Sequence, residues 1–399
     1  MLKKMLCLGI ILLLCGFIGI AMAVELTPNE QLGKSIFFDE NLSINKNQSC
    51  ATCHGPGAGW TGPDSALNAL GSVYEGSIAG RFGDRKPPSS AYATQSPILH
   101  YVIEKKEALF IGGNFWDGRA TGEKLGNPAA DQAGGPFLNP VEQALATPGD
   151  VVARVCASSY AALFKQVWGS GICDSVDEAY DDIALSIAAY EASPEVNAFS
   201  SKYDYYLAGL ADLTKEEKKG LNLFKSKGKC SKCHTLGPGP NGEPPLFTDF
   251  TYDNLGVPKN PDNPVYTSNP TFVDLGLGGF LATRPDYAAF ADENYGKHKV
   301  PTLRNVDLRP SPDFVKAYGH NGYFKSLKGI VNFYSTRDKK PVCPDPFTTE
   351  EDALALGCWP SPEVSANVNT KELGKLNLTE DQEDAIVAFL KTLSDGYEP

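Results

Sequence analysis

Cys50-Ala51-Thr52-Cys53-His54 and Cys230-Ser231-Lys232-Cys233-His234 repeat one pattern, Cys-x-x-Cys-His, at two places in a chain of 399 residues. This spacing attaches c-type haem. Two thiols one helical turn apart add to the haem vinyl groups, and the adjacent imidazole becomes the proximal iron ligand. Zinc knuckles and thioredoxin-like redox pairs use similar cysteine spacing. Two copies that each close on a histidine favour instead two covalently bound haem c groups. The attaching thiols are then Cys50, Cys53, Cys230 and Cys233, and the proximal ligands are His54 and His234.

Working outward, each motif is preceded by the same helix start. Leu26-Thr27, Glu30, Gly33 and Phe37 recur as Leu213-Thr214, Glu217, Gly220 and Phe224 with identical internal spacing. Thr27 and Thr214 read as N-caps with Glu three residues on, a capping box, and Pro28 suits the first helical position. Each half also closes on a helix. In the first, Ser175 and Glu178 read as a capping box ahead of Ile183, Ile187 and Tyr190; in the second, Thr379 and Gln382 precede Ile386, Phe389, Leu390 and Leu393. The expected fold is mainly α, with two tandem cytochrome c-like domains, residues 24–205 and 206–399, each holding one haem within long loops. Gly- and Pro-rich residues 112–148 and 238–312 read as the loops that wrap the haems.

Residues 1–23 read as a cleaved signal peptide, with Lys3 and Lys4, an apolar core from Leu8 to Ile20, and Ala21-Met22-Ala23 as the cleavage site. Cys15 raises a lipoprotein alternative, but Leu14 before it is too large for that processing. No later stretch is long and apolar enough to span a bilayer, so the expected location is the periplasm, with display at the cell surface left open. Beyond the leader and the haem motifs, four cysteines remain in two close pairs, Cys156 with Cys173 and Cys343 with Cys358, which are expected to form disulfides. Without Lys3 and Lys4 the 36 basic residues become 34 against 48 acidic, a formal charge of −14. That balance argues against nucleic acid.

The second axial position of each iron separates electron transfer from chemistry. All three methionines, Met1, Met5 and Met22, lie in the leader, so a His/Met haem is excluded. His100, His298, His320 and tyrosine remain as possible ligands.

Four further segments carry a resemblance: Phe115-Trp116-Asp117-Gly118-Arg119-Ala120, Asn139-Pro140-Val141-Glu142, Val300-Pro301-Thr302-Leu303-Arg304-Asn305-Val306 and Gly319-His320-Asn321-Gly322. Around the two haem motifs, in this order, they resemble the bacterial dihaem cytochrome c peroxidases and the related MauG proteins. The resemblance implies a peroxide-reactive haem on Cys50, Cys53 and His54, and an electron-relaying haem on Cys230, Cys233 and His234. It implies that Trp116 lies between the haems, that Glu142 is the distal carboxylate and Gln132 the distal glutamine, and that Tyr334 stands where the peroxidases have a methionine ligand and MauG a tyrosine. Residues 55–85 lack the histidine that covers the first haem in members needing reductive activation, which implies an open first iron. Two positions depart from the pattern. Asp253 replaces a common histidine, and Lys86 and Arg309 fall near positions that help bind calcium between the domains, which makes a calcium ion doubtful.

The resulting expectation is an enzyme that reduces hydrogen peroxide at the first haem, with electrons from a small redox protein such as a cytochrome c or cupredoxin. One alternative is MauG-like oxidation of a tryptophan or tyrosine on a partner protein. The other is a non-enzymatic dihaem electron carrier.

Overall fold

The computed structural model describes residues 25–399 apart from 105, 106 and 240; the leader lies outside the described residues. Helices dominate, and the only named strands among the described residues form two small antiparallel sheets. Five helices and four strands fix the site. They are α1 (Pro28–Phe37), α2 (Val176–Ala192), α3 (Lys215–Lys225), α4 (Leu327–Thr336) and α5 (Glu380–Lys391), with β1 (His100–Glu104) paired to β2 (Glu107–Ile111) and β3 (Tyr252–Asp253) paired to β4 (His298–Lys299).

The capping boxes form at α1 and α3: Thr27 and Thr214 accept from the amides of Glu30 and Glu217, whose carboxylates accept in return at 2.7 Å each. At α5 the Gln382 side chain accepts from the Thr379 amide. The box expected at Ser175 does not form, because a 3-10 turn at Ile172–Asp174 runs directly into α2 and the Ser175 amide bonds back to Ile172. Both expected disulfides, Cys156–Cys173 and Cys343–Cys358, are present.

In each half the opening helix crosses the closing one at its glycine. A Cβ at Gly33 would lie 1.8 Å from the Ser186 carbonyl oxygen of α2, and one at Gly220 would lie 1.8 Å from that of Ala385 in α5. The missing side chain lets two backbones touch. Four residues on, Phe37 meets Tyr190 edge-on at 5.6 Å and Phe224 meets Phe389 at 5.2 Å, so the contact is duplicated down to its aromatic pair. Two main cores grow around these crossings. One is built on Leu32, Ile36, Ile183 and Ile187, the other on Leu221, Phe333, Ile386 and Leu393. The first core also takes in Leu246 and Phe250, so the halves interlock.

The insertions read as loops carry short helices, among them Pro128–Ala133 and Gly276–Leu281, and the β1–β2 hairpin has no counterpart in the sequence reading. No helix among the described residues is long and apolar enough to cross a membrane.

Candidate active site

Two cavities open beside the two motifs. The first, about 1090 Å³ including its mouth, is lined by Cys50, Cys53 and His54 on one side and by Gln132, Glu142, Arg119 and Glu191 on the others. The second, about 1280 Å³, is lined by Cys230, Cys233, His234 and Tyr334 among Leu, Val and Ile side chains. Trp116 lines both.

The histidines are oriented alike. His54 Nδ1 lies 3.3 Å from the Trp60 carbonyl and His234 Nδ1 lies 2.8 Å from that of Phe247. A ring that donates from Nδ1 keeps the Nε2 lone pair for a metal. Trp60 and Phe247 both hold left-handed backbone, φ 61° and 54°, a strained conformation for an aromatic residue. The same local device therefore aims both carbonyls. Burial pushes the His54 imidazole down to about 4 and lowers that of His234, which favours the neutral, ligating form of each ring. The four motif thiols are free, while the other four described cysteines are paired in disulfides. Two free thiols and an aimed imidazole on the wall of a large cavity fit a covalently held haem in each half.

Gln132 rides on the short helix Pro128–Ala133, whose first turn is capped by Asn127 at 2.9 Å from the Ala129 amide. Glu142 sits in a turn fixed through its backbone: its amide donates to Asn139 O at 3.0 Å and its carbonyl accepts from Ser77 N at 2.7 Å. Burial raises its carboxyl above the usual carboxylate range, against the opposing pull of Arg119 and a hydrogen bond with Asn139. Arg119 is itself held by Asp117 at 2.8 Å and stacks on Phe115 at 3.8 Å, which leaves Glu142 free to change charge.

Trp116 is clamped from both halves. Its Nε1 donates to the Lys86 carbonyl at 2.8 Å, and its own carbonyl accepts from Lys299 N of β4 at 2.8 Å. Tyr334, on α4, lines the same cavity as His234. Burial is the largest cause raising its phenol, followed by Cys230 and Asp253, so a phenolate there needs a cation beside it.

A family profile described as di-haem cytochrome c peroxidase matches residues 27–212. The methylamine utilization protein MauG of Paracoccus denitrificans is 36% identical over 371 residues, 92% of this chain and 89% of that protein. This chain belongs to the di-haem cytochrome c peroxidase and MauG family. The cytochrome c551 peroxidase of Pseudomonas aeruginosa is 30% identical over 372 residues, 92% of this chain and 79% of that protein. Among solved structures, the diheme peroxidase BthA from Burkholderia thailandensis superposes with a TM-score of 0.75 at 30% identity, covering 94% of this chain and 87% of that one. As a member of this family the chain is an oxidoreductase, and the reading as a mere electron carrier is set aside.

Lys86 Nζ is buried and donates to Thr61 Oγ1 at 2.7 Å and Pro87 O at 3.0 Å. Lys316 Nζ, also buried, donates to Asn305 O at 2.6 Å and Leu308 O at 2.9 Å. Arg309 pairs with Asp307. Three carbonyl oxygens and one hydroxyl near these positions are thus hydrogen-bonded to the two lysine amines. Burial drops the Lys86 amine to about 7 from 10.5. Between those values the unfolded chain holds a proton that the folded chain has shed, so stability rises with pH there, by up to about 1.4 kcal/mol per unit. Lys86→Met is expected to remove this slope and to raise stability at neutral pH. Urea unfolding from pH 7 to 10 measures it, and an unchanged slope counts against the assignment.

Glu191 escaped the sequence reading. It lies at the end of α2 in the first cavity, where burial pushes its carboxyl up to about 8. The signal was present: Glu191 falls four residues after Ile187, an acid on the apolar stripe of the helix. Asp253, by contrast, lines the second cavity, bonded to Asn369 at 2.6 Å.

Proposed function

We propose that this protein consumes hydrogen peroxide in the first cavity and passes the oxidising equivalents through Trp116 to the second, from which a small redox protein, a cytochrome c or cupredoxin, supplies electrons. The observation that carries the reading is the pairing of Glu142 and Gln132 with Cys50, Cys53 and His54 around one cavity, with Trp116 shared by its neighbour. Bound haem supplies the iron that coordinates peroxide and undergoes the redox change. Glu142 takes the proton from the near peroxide oxygen and returns it to the far one, so that water leaves; burial raises its carboxyl, which helps it hold the proton between the two transfers. The Gln132 amide orients the bound oxygen pair. Glu191, neutral at neutral pH, keeps the rest of the wall free of competing charge.

Tyr334 and the 36% identity to MauG favour a second reading, in which the oxidising equivalents go to a tryptophan or tyrosine of a partner protein. A phenolate ligand favours the oxidised metal, where a thioether would ease reduction. Rapid oxidation of reduced cytochrome c on adding peroxide to the ferric protein supports the first reading. Slow donor oxidation, with modified aromatic residues on a partner, supports the second. Tyr334→Phe is expected to change the visible ligand-field bands of the second haem and leave those of the first in place. Unchanged bands would mean that another residue is the ligand.

In this reading residues 1–23 direct export to the periplasm, and the domains divide near residues 205–206.

A further inference from the structure

The rim of the second cavity is basic, although the chain as a whole is acidic. From residue 218 to residue 242, twelve residues either side of Cys230, the sequence holds six lysines and no acid. The matching window of the first half, residues 38–62 around Cys50, holds Lys46 against Asp39 and Glu40. The duplication that built the two halves therefore does not account for the lysines. Four of the six, Lys225, Lys227, Lys229 and Lys232, are exposed, and so are Lys371 and Lys375 on a second stretch.

The fold gathers these two stretches at the mouth of the cavity. Lys229 Nζ donates to the Lys371 carbonyl at 2.8 Å, and Lys227 Nζ donates to the Asn377 carbonyl at 2.6 Å and to Gln382 Oε1 at 2.8 Å. Lys229, Leu373 and Leu376 line the second cavity, and they also line a shallow surface depression shared with Lys371 and Lys375. The bonded ammonium groups are held by neutral oxygens, so they keep their charge. Among the described residues the lysines that pair with a carboxylate are Lys34, Lys124, Lys202, Lys218 and Lys328, none of them on this rim. Glu372, the one acid between Lys371 and Lys375, is drawn inward: it accepts from Asn369 Nδ2 at 3.0 Å and lies beside Cys233 and Asp253.

We propose that this lysine rim is the docking face for the redox partner of the second half, and that the partner is a small soluble redox protein with an acidic face around its own redox centre. This rests on the reading in which the second cavity exchanges electrons with a protein, and it adds the charge class of that protein. At physiological salt the Debye length is about 8 Å, so the rim rather than the distant net charge sets the force on a partner close to it. The acidic remainder of the surface repels such a partner elsewhere, and the change of sign at the rim orients the encounter. Leu373 and Leu376 supply an apolar centre ringed by charge, the layout of a protein interface with a polar rim.

The test measures binding by calorimetry, with the protein carrying both haems, against an acidic and a basic cytochrome c, each oxidised so that no turnover occurs. The acidic cytochrome is expected to bind at least about 10-fold tighter at low salt and to lose affinity as salt rises. Lys371→Glu combined with Lys375→Glu should weaken it about 10-fold. Lys46→Glu combined with Lys165→Glu, the same change of charge on exposed residues of the first half, should leave it within about 2-fold. The Soret absorbance serves as the control for haem content. Tighter binding of the basic cytochrome, an affinity indifferent to salt, or equal effects of the two double variants overturns the proposal. If the rim variant loses haem, the two cytochromes and the salt series on the wild-type protein decide. Because no peroxide is present, the two readings fail separately: an acidic cytochrome that docks on the rim but is not oxidised on adding peroxide sinks the peroxidase reading and leaves the docking face, while peroxide-driven oxidation that ignores the rim charges does the reverse.

Discussion

Glu142→Gln is expected to slow peroxide consumption by about 10²- to 10⁴-fold, the range for losing a positioned general acid–base group. The amide is nearly the same size, so it keeps the packing but cannot take a proton from one oxygen and deliver it to the other. Because the turn that carries residue 142 is held by its own backbone bonds to Asn139 and Ser77, the substitution should leave the cavity in shape. Haem content and the resting spectrum of the variant therefore serve as controls. Stopped-flow mixing with peroxide gives the rate; a rate within a few-fold of the parent would remove Glu142 from proton transfer. Gln132→Ala, which removes an orienting contact but no proton carrier, should have the smaller effect.

The second large effect is on folding. A helical Gly→Ala change normally stabilises by roughly 0.5–1 kcal/mol. At Gly33 and Gly220 the sign should reverse, because the new Cβ would meet a backbone carbonyl oxygen at 1.8 Å and its carbon at 2.6 Å in both places. Backbone cannot rotate aside as a side chain can. The helices must separate, and overpacking of this kind costs about 3 kcal/mol or more. Each substitution should also loosen haem in its own half first, since the crossing sets the floor on which Phe37 or Phe224 packs. Urea unfolding of the holoprotein, read separately at the two haem bands, tests both claims. A variant as stable as the parent would show that the crossing tolerates a wider spacing.

What the sequence made legible was local or repeated. The Cys-x-x-Cys-His motifs, the capping boxes at Thr27 and Thr214 and the two disulfides each span fewer than twenty residues and carry their own chemistry. The duplicated glycine and phenylalanine exposed the helix crossings because one half could be read against the other. Glu142, Gln132, Trp116 and Tyr334 entered through family resemblance; Glu142 and Gln132 line the first cavity, Tyr334 the second and Trp116 both. The rest depends on distant stretches meeting. Nothing near His298 announces that the His320 ring stacks on it, and nothing in Lys86 announces Thr61 as its partner. Trp60 and Phe247 were illegible for another reason: left-handed backbone at an aromatic residue contradicts local preference and persists only because the surrounding packing holds it. The Ser175 box failed where a neighbouring turn took over the helix entry.

The indole hydrogen bond of Trp116 has a kinetic consequence. Its acceptor is a peptide oxygen, that of Lys86, which has no appreciable basicity at any pH the protein tolerates. On the proposed route through Trp116, an electron that leaves this ring departs alone, the N–H staying intact, and the hole passes as a radical cation. Transit across the wall should then be as fast in D₂O as in H₂O, and indifferent to buffer strength.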